Sequence, residues 1–358
     1  MTESPNWKQQ FISDNASPIC PQAWEAMERA NSQPETFFTH PYGDDPFTAA
    51  ASSKIQELFE TDCEVFFVFN GTIANSLALA QICQPYSGII CHPFSHVDND
   101  EANAPEFFSG GAKLLLVDGD DAKIDPQRIP AVMGRGHGIH TSKIKAVSVT
   151  QATEVGTVYQ MDEVKQLTEI KDQHPELNLK FHMDGARFAN AMVALDNVSA
   201  KEITWQAGID VLSLGGTKNG CPGTEALVFF DKQLAAEFAW RRKQAGQLAS
   251  KMRYLSAPWL GVLSDDAWLK NARHANEQAT LLSTELAAVD GIELAYPVET
   301  NAVFAQLPPG MPEALLERGW QFYHFPAANA WRFMCTWCTA EAGVRALLDD
   351  VRAIANAT

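Results

Sequence analysis

The chain has 358 residues, of which 46% are hydrophobic and 20% are charged, and its formal net charge is −17. A single hydrophobic core usually supports a shorter chain than this, so we predict one large and one small domain. The acidic balance argues against nucleic acid and anionic membrane surfaces as partners, because both favour clustered Lys and Arg. A small anionic substrate is still compatible, since its site needs only local positive charge.

The sequence shows no targeting or membrane signal. No apolar run reaches the roughly 18 residues of a transmembrane helix, and the start, MTESPNWKQQ, lacks a signal-peptide pattern. The seven cysteines have no framework spacing, which predicts a cytoplasmic protein with reduced thiols. Cys335 and Cys338 form a C-x-x-C pattern, but no second pair or histidine set completes a zinc site. We therefore predict no metal.

Short apolar runs alternate with helical stretches through the first two thirds of the chain. The runs predict strands over 63–69, 87–92, 113–118, 144–150, 179–184, 211–216 and 225–231. Near-continuous apolar strands separated by helices predict a mainly parallel, seven-stranded α/β sheet that is covered on both faces. We assign residues 1–245 to an N-terminal segment and this large domain.

The pattern changes after about residue 232. Segments 232–263 and 265–289 predict long helices, and a final helix is predicted over 340–356. Short strands are predicted between them, over 292–299, 302–308, 321–326 and 331–337. These elements predict a smaller C-terminal α+β domain over 246–358, with its boundary inside a long helix.

Two chemical features follow predicted strands, where ligands of parallel α/β sheets bind. In FNGTIAN (69–75), a helix begins at Gly71 and Thr72, and its free N–H groups and dipole suit a phosphate. The turn could equally be a plain capped junction between a strand and a helix.

Asp184 ends a buried strand in HMDGAR, so its carboxylate needs a cation or a hydrogen-bond donor. It either forms an ion pair with Arg187 or binds a protonated ring nitrogen.

Two further features are a lysine and a histidine. Lys218 lies among the glycines of GGTKNG, where a partly desolvated amine could form a Schiff base, or could instead cap a loop or pair with a carboxylate. His96 follows the strand over 87–92 and could stack on a planar ring, move protons, or be structural.

Together these features follow the order in which aspartate-aminotransferase-like enzymes present pyridoxal 5′-phosphate. The helix N-terminus would bind the phosphate, and the acid would keep the pyridine nitrogen protonated so that the ring accepts electrons. The lysine would tether the aldehyde and relay protons. The set therefore indicates a pyridoxal-phosphate enzyme.

The chain resembles the low-specificity L-threonine aldolases, in the β-eliminating lyase group of fold-type I pyridoxal-phosphate enzymes. The resemblance covers nearly the whole length and lies in YGDDP (42–46), FNGTIAN (69–75), SHVDNDEANAPEFFSGG (95–111), HMDGAR (182–187), GGTKNG (215–220) and WRFMCTW (331–337). It implies an aspartate-aminotransferase-like fold and cleavage of L-threonine or L-allo-threonine to glycine and an aldehyde. It also implies a homodimer or homotetramer with shared active sites.

The resemblance implies roles for the residues around the cofactor. Lys218 would form the imine, and Asp184 would bind the pyridine nitrogen. His96 would stack on the ring and assist proton transfer. Gly71 and Thr72 would bind the phosphate.

Further residues are implied for the substrate and for the neighbouring subunit. Arg332, Arg187 and Ser13 would bind the substrate carboxylate, with Arg187 also near the cofactor hydroxyl. Glu154 replaces a histidine that the family often carries in N-T-H-N-G, so it is expected at the substrate. Arg253 would reach the phosphate of a neighbouring subunit, although a longer segment over 241–253 leaves the choice of that arginine open.

Several alternatives stay open. The base for the substrate hydroxyl could be His96, Glu154 or water. The chain could be another fold-type I lyase or a transaminase for a different amino acid, or a non-catalytic member that keeps the fold as a binding module. A nucleotide site at GGTKNG is disfavoured, since the stretch lacks the spacing of a P-loop.

Overall fold

The structure is a computed structural model that describes residues 10–32, 38–134 and 138–357. Its α-helices are α1 Pro21–Ser32, α2 Pro46–Phe59, α3 Gly71–Ile82, α4 His96–Asn99, α5 Ala104–Ser109, α6 Ile129–Met133, α7 Met161–Thr168, α8 Ile170–Gln173, α9 Phe188–Ala194, α10 Ala200–Ile203, α11 Phe238–Gln244, α12 Arg253–Val262, α13 Ala267–Ala287, α14 Met311–Glu317 and α15 Glu341–Ala355. Its strands are β1 Glu64–Val68, β2 Ser87–Cys91, β3 Lys113–Leu116, β4 Lys143–Thr150, β5 Lys180–Gly185, β6 Val211–Gly215, β7 Glu225–Phe229, β8 Glu293–Leu294, β9 Ala302–Gln306, β10 Tyr323–Phe325 and β11 Ala330–Met334. None of the helices in these ranges has the length and apolar character needed to cross a membrane.

The first seven strands form one sheet in the order β1-β7-β6-β5-β4-β2-β3. Neighbours from β6 through β3 are parallel, whereas β7 is antiparallel to both β6 and β1. Each strand lies within two residues of its predicted bounds. The predicted α/β class with a mainly parallel seven-stranded sheet is therefore confirmed.

Helices bury both faces of this sheet. All residues of β2 and β7 are buried, as expected for strands covered on both sides. Val211 and Leu212, which are consecutive in β6, belong to different apolar clusters. Side chains alternate between the faces of a strand, so the two clusters lie on opposite faces of the sheet.

The remaining strands form a second, antiparallel sheet in the order β10-β11-β9-β8. It packs with α13 and α15 around a separate core that includes Phe333 and Trp320. The N-terminal Phe11 is buried in this core, and its carbonyl oxygen accepts a hydrogen bond from the N–H of Met334 at 2.8 Å. The smaller α+β region is as predicted, while the boundary near residue 245 stays a prediction.

The predicted continuous helix over 232–263 is wrong. The chain forms α11 and α12 with a non-helical segment between them, and Gly246 in that segment has φ +74°. The segment bonds to the end of β1, because the N–H of Phe69 donates to Gln247 Oε1 at 3.1 Å. The left-handed Gly246 ends the helix, and the contact with Phe69, 178 residues away, anchors the non-helical segment.

Candidate active site

The functional candidates converge at one edge of the large sheet. His96 follows β2, Glu154 follows β4, Asp184 lies near the end of β5 and Lys218 follows β6. In the register, Thr150 is opposite Asp184, so the ends of β4 and β5 are level. The carboxyl ends of parallel strands thus bring together residues that are far apart in the chain.

Asp184 is a fixed, buried carboxylate. Its side chain is 3% exposed. Oδ2 accepts a hydrogen bond from Asn75 Nδ2 at 2.8 Å, and Oδ1 accepts one from the N–H of Ala186 at 3.0 Å. The alternative ion pair between Asp184 and Arg187 does not form, since Arg187 pairs with Asp14 instead. The orientation of the Asp184 carboxylate is therefore set by neutral donors.

Asn75 connects Asp184 to a histidine–carboxylate pair. Its Nδ2 also donates to Glu101 Oε1 at 2.9 Å, and that oxygen lies 2.8 Å from His96 Nδ1. Burial raises the pKa of Glu101. Burial alone would lower the pKa of His96, but the hydrogen bond to Glu101 and the carboxylates of Asp184 and Glu154 raise it. The pair therefore favours a proton on His96.

The N-terminus of α3 is open. Asn70 caps the helix, because its Oδ1 accepts a hydrogen bond from the N–H of Ile73 at 2.9 Å. Within the described ranges, the N–H groups of Gly71 and Thr72 have no hydrogen-bond acceptor. A Cβ atom on Gly71 would have no neighbour within 4 Å. These free amides and the dipole of a 12-residue helix favour an anion at this end of α3.

Lys218 lies on a 3₁₀ turn, Thr217–Asn219, directly after β6 and is half-buried. The preceding Gly215 permits a close approach to the HMDGAR segment. A Cβ atom on Gly215 would lie 2.4 Å from the carbonyl oxygen of Ala186, which no side chain could tolerate. The glycine thereby lets the lysine turn pack beside the loop that follows Asp184.

Arg187 is buried, and the carboxylates of Asp14 and Glu154 balance its positive charge. Its Nε lies 2.8 Å from Asp14 Oδ2 and its Nη2 lies 3.2 Å from Asp14 Oδ1. Its Nη1 is 3.7 Å from Glu154 Oε2. Burial opposes charge on both partners of the pair, but Arg187, Lys218 and Asn301 lower the pKa of Asp14 to about 2. Arg187 is therefore charged in the folded protein and its charge is shared with acids.

Arg332, on β11, has no acidic partner among the residues that the structure describes. Its Nη2 donates to the carbonyl oxygen of Ile12 at 2.9 Å, and its guanidinium carbon lies 4.1 Å from the centre of the Tyr323 ring. Its Nε is buried without a hydrogen-bond partner in the described chain. Ser13 directly follows Ile12 in the sequence, which places it near Arg332. An oriented cation with an unused donor suits a carboxylate ligand.

Arg253 lies apart from this cluster. It begins α12, and its Nη1 donates to Thr39 Oγ1 at 3.0 Å. The preceding chain bonds to YGDDP, since the N–H of Tyr42 donates to the carbonyl oxygen of Ser250 at 3.0 Å. The structure describes no contact between Arg253 and the open end of α3. Its Nε is buried without a partner in the described chain.

Four site residues were not predicted from the sequence: Asn75, Glu101, Asp14 and Tyr323. Asn75 closes the FNGTIAN motif and Asp14 follows Ser13, so both lay beside residues already selected. Glu101 is one of several acids in VDNDEANAPE, and nothing in the sequence distinguishes it from the others.

The assembled groups fit pyridoxal 5′-phosphate. The open end of α3 suits its phosphate, the buried Asp184 carboxylate suits a protonated pyridine nitrogen, and the Lys218 amine suits its aldehyde. Buried Asn75 Oδ1 and Glu101 Oε2 also lack partners in the described chain, which leaves polar atoms for a ligand. Fold and site together define a fold-type I pyridoxal-phosphate enzyme.

Comparison with known proteins specifies the family. The β-eliminating lyase model matches residues 10–308. Low specificity L-threonine aldolases of Pseudomonas sp. (strain NCIMB 10558) and Pseudomonas aeruginosa are each 53% identical over 349 residues, which is 98% of this chain and 99% of theirs. The structure of Leishmania major threonine aldolase matches with a TM-score of 0.88 at 26% identity, over 97% of this chain and 99% of that one.

A Thermus thermophilus aspartate aminotransferase variant shares the fold, with a TM-score of 0.70 at 15% identity, over 98% of this chain and 97% of that one. The chain belongs to the β-eliminating lyase family, in the branch of the low-specificity L-threonine aldolases. Its cofactor is pyridoxal 5′-phosphate. The resemblance, the fold class and the cofactor predicted from the sequence are confirmed.

Proposed function

We propose that the chain cleaves L-threonine and L-allo-threonine between Cα and Cβ to glycine and acetaldehyde. One observation carries this proposal: Lys218, Asp184 and His96 converge at one sheet edge in a chain that is 53% identical to L-threonine aldolases over nearly its full length. When bound, the cofactor supplies an electron sink for the pair released from the broken bond.

The cofactor-binding roles follow from what each group can donate. The N–H groups of Gly71 and Thr72 bind the phosphate at the open end of α3. Asp184 keeps a proton on the ring nitrogen, and Asn75 fixes that carboxylate at 2.8 Å. The Lys218 amine would hold the cofactor at its aldehyde, and when free it could carry a proton to or from Cα of the substrate. His96 would pack on the ring; its Nδ1 is engaged by Glu101 at 2.8 Å, so its Nε2 would face the ligand.

The substrate carboxylate binds mainly at Arg332. Arg187 already shares its charge with Asp14, 2.8 Å away, whereas Arg332 has no acidic partner in the described chain. Arg332 is therefore the arginine whose positive charge is not balanced by an acid in the described chain. Its planar guanidinium can bind both carboxylate oxygens. Ser13 adds a hydroxyl beside it. Arg187 would also contact the carboxylate and would lie near the cofactor hydroxyl.

The hydroxyl of the substrate loses its proton when the bond breaks. Its acceptor is His96, Glu154 or a water between them, and variants separate these routes. Loss of the acid limb of the pH–rate profile in only one of His96→Asn and Glu154→Gln identifies that residue as the acceptor, because a base must be deprotonated to act. Retention of the acid limb in both variants identifies water.

The proposal includes a cytoplasmic homodimer or homotetramer in which active sites are shared. Arg253 supports it, because this arginine contacts Thr39 rather than the phosphate site of its own chain. We expect Arg253 to reach the phosphate of a neighbouring subunit. Mixing inactive Arg253→Ala and Lys218→Ala subunits should restore activity if the site is shared, and should not restore it if each chain is self-sufficient.

The deciding experiment combines two measurements on the purified holoenzyme. Borohydride reduction followed by peptide mapping should place the pyridoxyl label on Lys218. In a separate unreduced sample, threonine should yield glycine and acetaldehyde. Lys218→Ala should abolish both results, whereas Lys232→Ala, at an exposed ion pair, should retain them. Pyruvate from serine, or amino transfer to a keto acid, without acetaldehyde from threonine would identify a different lyase or a transaminase.

A further inference from the structure

Glu225 is a buried carboxylic acid that the proposed mechanism does not use. It is the first residue of β7 and is 8% exposed. On one side it pairs with Gly215 at the end of β6, and on the other with Val68 at the end of β1. It therefore lies at the edge of the sheet from which Lys218 emerges. A carboxyl group is rarely buried without a partner.

The partner of Glu225 is the turn that carries Lys218. The N–H of Gly216 donates a hydrogen bond to Glu225 Oε2 at 2.5 Å. Gly216 is also tightly enclosed, since a Cβ atom there would lie 2.7 Å from the carbonyl oxygen of Thr224 and from a ring carbon of Trp259. The start of the turn is thus held by packing on two sides and by Glu225 on the third.

The charges around Glu225 single out Lys218. Two titratable residues interact with Glu225: Lys218, on the turn that Glu225 holds, and Cys221, just beyond that turn. Burial raises the pKa of Cys221 well above its usual value, and Cys20 and Glu225 add to this rise, so Cys221 is a neutral thiol. Lys218 also faces Asp14, on another element. Lys218 is therefore the neighbour whose nitrogen interacts electrostatically with the Glu225 carboxylate.

The charge of Glu225 changes in the neutral range. Burial raises its pKa to about 7, although the N–H of Gly216, the neighbouring Thr217 and Lys218 all favour the carboxylate. A group with this pKa is half protonated near the pH of the cytoplasm. Small changes in the charge of its neighbours then shift its proton occupancy.

We propose that Glu225 is a positioning residue for Lys218, which fixes the turn through Gly216 and acts through its charge on the Lys218 nitrogen. The inference rests on the part of the proposed function in which Lys218 forms the imine with the cofactor. It assigns to Glu225 two separable contributions: the hydrogen bond orients the lysine, and the carboxylate stabilises a proton on the lysine nitrogen.

The test is a pH titration of the absorbance of the bound cofactor in the holoenzyme without substrate. Glu225→Gln keeps an acceptor for Gly216 and removes the charge. The midpoint should fall, with a proton affinity about three- to tenfold lower than in the wild type. Glu225→Ala also removes the acceptor, so it should release cofactor faster on dialysis and lower kcat with little change in the KM for threonine.

Asp210→Asn is the matched control. Asp210 directly precedes β6, at the opposite end from Lys218, and also accepts a backbone hydrogen bond, from the N–H of Phe181 at 2.7 Å. It should leave the midpoint unchanged. An unchanged midpoint in Glu225→Gln would overturn the inference. If Glu225→Gln does not fold, Glu225→Asp is the second variant, since it retains the charge on a shorter side chain. An altered midpoint, or a lower kcat at constant KM, supports the inference. Wild-type values for both overturn it.

The two proposals can fail separately. Wild-type enzyme whose pyridoxyl label maps away from Lys218 would refute the proposed function and this inference with it. Correct labelling and threonine cleavage, combined with a wild-type titration in Glu225→Gln, would refute only the role of Glu225.

Discussion

Arg187 and Asp14 form a two-point ion pair in which Nε lies 2.8 Å from Oδ2 and Nη2 lies 3.2 Å from Oδ1. The pair joins the N-terminal segment to the loop after β5. Because Phe11 of the same segment is buried in the core of the second sheet, this segment connects both sheets to the active site. The pair therefore links the position of Arg332, which bonds to Ile12, to that of Arg187.

Asp14→Asn should destabilise the protein and impair substrate binding together. It leaves a guanidinium that is 5% exposed without its main counter-charge, and breaking a buried pair in this way costs about 3–5 kcal/mol. Urea unfolding should show this loss, and the KM for threonine should rise. Glu341→Gln, at an exposed helical pair with Arg345, should cost no more than about 0.5 kcal/mol. Equal effects of the two variants would contradict a structural role for the Asp14 pair.

Arg332→Ala should mainly raise the KM for threonine. Loss of charge-assisted hydrogen bonds to the carboxylate costs about 1.5–3 kcal/mol, which corresponds to about a 10- to 150-fold weaker interaction. Arg332→Lys should recover part of this affinity, because it keeps the charge but lacks the planar fork. Steady-state kinetics of both variants measure the effect, and an unchanged KM in Arg332→Ala would remove this arginine from the substrate site.

Tyr323 offers a separate check on the same cation. Its ring centre lies 4.1 Å from the guanidinium carbon of Arg332, so it stacks on the guanidinium and orients it. Tyr323→Phe should keep the wild-type KM and Tyr323→Leu should raise it several-fold. A wild-type KM in Tyr323→Leu would mean that the hydrogen bond to Ile12 alone orients Arg332.

Strand composition made the large sheet predictable, whereas pairings between distant residues were not. The run VLSLGG is apolar and bounded by glycine, so β6 and the position of Lys218 at its end follow from local sequence. Arg187 pairs with Asp14 across 173 positions and Asn75 with Asp184 across 109. Such partners depend on how elements pack, and a sequence that offers many acids does not select among them.

Acid should destabilise the protein partly through His182. This imidazole lies between the hydroxyls of Ser148 and Ser213, at 2.9 and 3.0 Å, and burial lowers its pKa from 6.5 to about 4. Between pH 6.5 and about 4, His182 therefore binds a proton in the unfolded chain but stays neutral in the folded protein. Stability should fall with pH across this window, by at most about 1.4 kcal/mol per unit. Urea midpoints of wild type and His182→Gln should converge as the pH falls, and parallel curves would contradict the assignment.

As a candidate acceptor of the substrate hydroxyl proton, His96 should set the acid limb of the pH–rate profile together with Glu101, because a base acts only in its deprotonated form. Burial alone would lower the pKa of His96, and the 2.8 Å hydrogen bond to Glu101 together with the nearby carboxylates raises it. Glu101→Gln removes one negative charge and leaves an amide, so His96 should lose its proton at a lower pH. The midpoint of that limb in kcat/KM should then shift to lower pH. Asp100→Asn, at the exposed neighbouring position, should leave it in place. A limb that moves equally in both variants would reflect the general charge of the segment, and one that moves in neither would show that His96 does not titrate in the rate-determining steps.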